Sequence, residues 1–122
     1  MIELGEFKSH SGLILPWKID CDDFSDNDIR ALASIIASKF NFSDVYGIPR
    51  GGTRLADALS KYSISNSKYP LLIADDVLTT GLSMEQAKQD LSKDAIGVVI
   101  FSRKTVIPNW IHPIFTLNGE FQ

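Results

Sequence analysis

The chain has 122 residues, with 12 Lys and Arg against 15 Asp and Glu, a net charge of −3 and 44% hydrophobic residues. That length supports one domain, 1–122, with a proper core, and the acidic balance argues against a nucleic-acid coat while leaving small anions open. Cys21 is the only cysteine, which excludes a disulfide framework or a thiolate zinc cluster. No apolar run reaches membrane-spanning length, and Met1 to Glu6 lacks the basic and apolar regions of a secretory leader, so a cytoplasmic protein is expected.

Residues 1–24 read as irregular, with apolar clusters at Leu13 to Leu15 and at Trp17 and Ile19. A helix is expected after Ser25, which suits an N-cap, while Asp26 and Asp28 suit the positive helix end. Ile29, Leu32, Ala33, Ile36 and Phe40 recur at helical spacing and mark its buried face. A short strand at 44–48 runs into Pro49-Arg50-Gly51-Gly52. A second helix is predicted from about Thr53 to Tyr62, burying Leu55, Ala58 and Leu59. After a polar loop at 63–69, the apolar run Leu71 to Ala74 reads as a parallel strand covered on both faces and ending at Asp75-Asp76. Ser83 is expected to open a third helix to about Lys93, followed by strands at 96–101 and 114–117. Helices alternating with apolar strands predict an α/β fold with a mainly parallel sheet.

Ligands of such sheets bind beyond the carboxyl ends of the strands, and two turns are unusual there. In the first, Asp75 and Asp76 close a buried strand and lead through Val77 and Leu78 to Thr79-Thr80-Gly81-Leu82-Ser83. Its hydroxyls, a glycine that permits tight bending and free N–H groups at a helix start suit a phosphate. The acids would repel that phosphate, so sugar hydroxyls are their better partners. A phosphate beside a diol describes a ribose 5-phosphate. The second turn, Gly47 to Thr53, offers glycine N–H groups and the fixed fork of Arg50 to pyrophosphate oxygens. Taken alone, a strand-ending acid pair, a capping Ser83 or a solvated Arg50 is ordinary architecture. The combination is not.

Residues 71–84 resemble the phosphoribosyl-pyrophosphate (PRPP) motif of the type I phosphoribosyltransferases, and 47–53 resemble their pyrophosphate loop, in the same chain order. Phe7 to Gly12 and Trp17 to Asp20 resemble the N-terminal hood segment of the orotate enzymes. Gly97 to Arg103 resembles the strand after the PRPP motif, which in those enzymes ends in a substrate-contacting Arg. The resemblance implies a compact type I phosphoribosyltransferase-like three-layer core and a minimal hood from about 1–24 and 104–122. It implies Asp75 and Asp76 on the ribose 2- and 3-hydroxyls, directly or through Mg²⁺, a 5-phosphate wrapped by Thr79, Thr80, Gly81, Leu82 and Ser83, and Val77 and Leu78 among the substrate-binding residues. Ile48, Pro49, Gly51 and Gly52 would bind pyrophosphate, with Arg50 and Mg²⁺ stabilising its charge as it leaves.

The implied reaction passes ribose 5-phosphate from PRPP to an orotate-like or purine-like nucleobase through an oxocarbenium-like transition state. No covalent nucleophile is required. Arg103 would pair with a carboxylate or carbonyl of the base, and Trp110 would stack on its ring, although Trp17 and Trp110 also suit core or hood packing. His10 stands where the orotate-type hood carries Lys, a departure that counts against orotate itself. His112 reads as a surface residue beside a proline, and Cys21 as a small buried group.

A larger departure lies between the turns, where only 22 residues, Thr53 to Ala74, separate Gly52 from Asp75. The family carries an edge strand and a mobile loop in this interval, and here Lys68 is the only cation of the short remnant 63–69. The 44–48 strand is thereby left as an edge to be covered by the N-terminal segment or by a second chain, and a homodimer that completes the site is expected. The same shortness favours a competing reading, a PRPP- or nucleotide-binding regulator without turnover. A phosphorylation receiver is excluded, because its acid pair belongs on a first strand and only 46 residues follow Asp76.

Overall fold

The computed structural model describes residues 24–116. The expected hood positions His10, Trp17 and Cys21, and the tail from 117 onward, lie outside the described residues. Helix α1 (Asp26–Lys39) starts where the sequence places it. Ser25 Oγ accepts from the Asp28 N–H at 3.0 Å, and Asp28 Oδ2 accepts from the Ser25 N–H at 3.2 Å, a reciprocal capping box. Its face of Ile29, Leu32, Ala33 and Ile36 is buried.

Strand β1 (Asp44–Gly47) leads to helix α2 (Thr53–Leu59), which tightens into a 3₁₀ turn at Ser60–Tyr62. Strand β2 (Leu71–Leu78), helix α3 (Leu82–Leu91), strand β3 (Ile96–Ser102) and strand β4 (Ile111–Phe115) follow. The strands form one sheet in the order β1-β2-β3-β4, and each neighbouring pair is parallel. Side chains alternate across it. Leu72, Ala74, Val98 and Ile100 face α1 and α2, where they meet Leu32, Ile36, Leu55 and Leu59. Ile73, Val99 and Ile111 face Met84 and Ala87 of α3. This is the expected three-layer α/β arrangement, and burial on both faces explains the unbroken apolar runs. Among the described residues no helix is long and apolar enough to cross a membrane.

The connection β1-α2-β2 passes over one face and β2-α3-β3 over the other, although the strands advance in one direction. The two crossovers therefore have opposite hands, against the usual right-handed rule. Neighbouring connections that part to opposite faces open a crevice at the carboxyl ends of β1 and β2.

Several expectations are corrected. Strand β2 does not end at Asp75-Asp76 but continues to Leu78, because β3 is long enough to pair with it, Val77 opposite Phe101 and Leu78 opposite Ser102. Helix α2 buries Ala56, while Ala58 is only partly covered. Helix α3 begins at Leu82 and stops at Leu91, where the Ser92 cap turns extended. The last strand begins at Ile111 rather than Ile114, with Ile111, Ile114 and Phe115 buried. His112 is half-buried: its ring lies 4.9 Å from that of Phe40, and burial lowers its pKa.

The two edges differ. Tyr46 on β1 is 38% exposed, and no described residue pairs with the outer side of that strand. On β4 the Trp110 carbonyl turns inward to the Gly97 N–H, so by alternation Pro113 occupies an outward position and has no N–H to offer there.

Candidate functional site

The crevice brings the two turns together. The Ile48 N–H donates to Ala74 O at 2.8 Å, carrying the β1 ladder one residue past the strand. The chain then folds back, with the Gly52 N–H donating to Ile48 O at 2.8 Å and both the Thr53 N–H and hydroxyl donating to Arg50 O, at 3.3 and 2.8 Å. The Pro49–Arg50 peptide is cis. Pro49, Arg50 and Gly51 are exposed while Ile48 anchors the turn in the core. The Arg50 side chain has no partner among the described residues.

Gly51 sits directly on the second turn. A Cβ built there would collide with the Asp76 carboxylate, 2.6 Å from Oδ1, so only glycine allows this approach. Asp76 Oδ1 in turn accepts from the Val77 N–H at 2.7 Å, and Asp75 Oδ1 accepts from the Asp76 N–H at 2.8 Å. The pair is partly buried. Burial, then a hydrogen bond with the Asp76 side chain, push the Asp75 carboxyl up to about 7. Burial beside a second carboxyl thus favours the neutral form of Asp75.

Beyond Leu78, which is buried, Thr79 and Thr80 are exposed. Gly81 takes a left-handed conformation with φ of 83° and caps α3, and Thr80 Oγ1 accepts from the Leu82 N–H at 3.3 Å. Leu82 and Ser83 start the helix and are both exposed, and the Leu82 N–H is taken by the Thr80 hydroxyl. Ser83 is thus a first-turn residue rather than the cap. Leu82 is 72% exposed, an apolar side chain with no packing role.

Arg103 lies at the same edge, its N–H donating to Leu78 O at 2.9 Å, with an exposed side chain. Trp110 does not join it. The Trp110 backbone pairs with Gly97 at the amino end of β3, and its indole Nε1 donates to Glu85 Oε1 at 2.9 Å. Lys88 Nζ stands 5.5 Å above the ring. The residue therefore packs sheet to helix, away from the carboxyl-end turns. Lys104, which the sequence reading passed over, does reach them: Nζ donates to Thr80 O at 3.4 Å. Its one sequence signal is position, directly after Arg103 at the end of the third strand.

The donor set can accept a divalent cation only in part. Among the described residues no group of three His, Cys, Asp or Glu side chains could hold a metal alone. Asp75 and Asp76 supply two carboxylates, which suits Mg²⁺ completed by ligand oxygens and water.

No protein-family model matches the sequence, and no curated protein matches it. Solved structures with a similar backbone include hypoxanthine-guanine phosphoribosyltransferase from Schistosoma mansoni in complex with IMP, at 13% identity and a TM-score of 0.45 over 72% of this chain. Another is a hypoxanthine-guanine-xanthine phosphoribosyltransferase, at 15% identity and a TM-score of 0.46, covering 79% of this chain and 80% of that one. The chain spans 62% of the length of the schistosome protein.

Proposed function

We propose that the chain binds PRPP across the carboxyl ends of β1 and β2 and transfers its ribose 5-phosphate to an orotate-like or purine-like nucleobase. The observation that carries this reading is the meeting of the two turns at Gly51 and Asp76, which sets a pyrophosphate-sized loop against a diol-binding carboxylate. In the reaction the bond from C1 to the pyrophosphate oxygen breaks and a bond from a base nitrogen to C1 forms. Pyrophosphate leaves with the electron pair, and a proton departs from the base.

Asp75 and Asp76 hold the ribose hydroxyls, and Thr79 to Ser83 receive the 5-phosphate. Ile48, Pro49, Gly51 and Gly52 shape the pyrophosphate seat, while Arg50 is placed to offset charge on the leaving group. Arg103 stands beside Leu78 at the same edge, where a base carbonyl or carboxylate is within reach of a guanidinium. Mg²⁺, held by Asp75 and Asp76 with substrate oxygens, would supply charge neutralisation for the pyrophosphate. The reading includes a homodimer in the cytoplasm; the dimer is supported by the outer side of β1, with which no described residue pairs.

The test is pyrophosphate release from PRPP and Mg²⁺ across a panel of nucleobases. Release with one class of base supports transfer and names the acceptor. A second reading, a PRPP- or nucleotide-binding regulator, is favoured by the short connection 63–70, in which Lys68 is the sole cation and no lid is present. PRPP binding without release for any base selects that reading. Absence of PRPP binding refutes both.

A further inference from the structure

Ser102 is the buried polar side chain of the described core, 0% exposed, and it is spent entirely on Lys104. Its hydroxyl accepts from the Lys104 N–H at 3.1 Å and donates to Lys104 O at 3.2 Å. Together with the bond from the Arg103 N–H to Leu78 O, this fastens residues 102–104 to the end of β2. A buried hydroxyl has to be satisfied, so the loop has little freedom to place Lys104 elsewhere. From this anchor the half-buried Lys104 side chain crosses to the neighbouring turn, and Nζ touches Thr80 O at 3.4 Å.

The turn it reaches lacks a charge of its own. Thr79, Thr80, Gly81, Leu82 and Ser83 include no basic residue, and the nearest charges upstream are the carboxyls of Asp75 and Asp76. A phosphomonoester dianion seated there by N–H groups and hydroxyls alone would face two acids with no counter-charge. The Lys104 ammonium uses one N–H on Thr80 at a length that is long for a charged donor, and two N–H groups remain.

We propose that Lys104 is the cation of the phosphate turn: poised on the Thr80 carbonyl, it supplies the positive charge that draws in and holds the 5-phosphate of a sugar phosphate. This rests on the reading of Thr79 to Ser83 as the phosphate seat. It assigns Arg103 and Lys104, adjacent in sequence, to opposite ends of the ligand, the base and the phosphate.

The test titrates ribose 5-phosphate, and separately PRPP with Mg²⁺, into the wild type, Lys104→Gln and Lys104→Arg, by calorimetry over a salt series. Lys104→Gln is expected to weaken both ligands about tenfold or more, the effect of one charge-assisted hydrogen bond. It is also expected to flatten the salt dependence of binding, because screening acts on the charge that has been removed. Lys104→Arg keeps the charge and is expected to restore most of the affinity. Wild-type affinity and salt slope in Lys104→Gln overturn the inference and leave the site standing. Weakened binding with an unchanged salt slope overturns it as well, since the lysine would then only shape the turn. If the wild type binds neither ligand, the reading of the phosphate seat itself fails.

Discussion

The carboxylate of Asp76 occupies the space that a side chain on Gly51 would need, so two loops separated by 24 intervening positions meet at these two residues. Gly51→Ala must push either the turn or the carboxylate aside. We expect PRPP affinity to fall at least about tenfold while the exposed turn leaves the fold intact. Calorimetric titration beside a thermal melt checks this, and full affinity in the variant would show that the contact is incidental.

Asp76→Ala removes the carboxylate without crowding Gly51. The stability cost should be about 1 kcal/mol, from the lost acceptor for the Val77 N–H. PRPP binding in the presence of Mg²⁺ should disappear. A variant that melts like the wild type yet binds PRPP equally well would mean that the site lies elsewhere.

Asp75 predicts how stability depends on pH. Its carboxyl is pushed up to about 7 by burial and by its bond with Asp76, from 3.8 in the unfolded chain. The folded protein therefore holds this proton more tightly than the unfolded one. That contribution is complete below about pH 4 and is lost as pH rises through about 7. Urea unfolding across this window should show the decline, and Asp75→Asn, which stays neutral, should flatten it and be the more stable protein at pH 8 (roughly one unit above the folded value). The same slope in wild type and variant would remove Asp75 as its source.

Gly81 holds α3 in place with a φ of 83° that an L side chain adopts only with strain. Gly81→Ala should cost about 1–2 kcal/mol in chemical denaturation, and Gly81→Asn less, because asparagine tolerates the left-handed region. A Cβ there meets only Leu78 Cδ1, at 3.4 Å, so crowding should add little, and equal losses in the two variants would remove backbone conformation as the cause.

Trp110 separates packing from recognition. Its ring packs in the cluster of Met84, Ala87 and Ile111 and its Nε1 is bonded to Glu85. Trp110→Phe should lower stability by about 1 kcal/mol and leave ligand affinities and any base preference unchanged. A change in base preference at constant stability would return this residue to the site.

The sequence made α1 legible because its signals are local: Ser25 and Asp28 bond to each other whatever surrounds them. The parallel sheet was legible for a similar reason, since Leu71 to Ala74 and Ile96 to Phe101 are too apolar for anything but a double-sided burial. The end of β2 was not, because acids look like a terminus until a partner strand is known to extend past them. Ile111 was missed as a strand start because Pro113, two residues on, breaks a strand everywhere except at an outward edge position. Within the site, both turns could be read from glycines, hydroxyls and acids at fixed spacing. Their contact at Gly51 and Asp76 could not, because it depends on β1 and β2 pairing side by side in a fixed register. Lys104 was hidden for the same reason: it acts on Thr80, 24 positions away, through a loop pinned by a buried serine.

Pro113 on the outward side of β4 also sets a limit on growth. A chain whose sheet could accept a neighbour on both sides would stack copy upon copy, strand after strand, into a filament. Here the proline refuses the hydrogen bond at one border, while β1 offers a short border at the other. Among the described residues, strand pairing between copies through β1 would therefore use one border of each and stop at two, while the proline ring weakens any pairing on the far side.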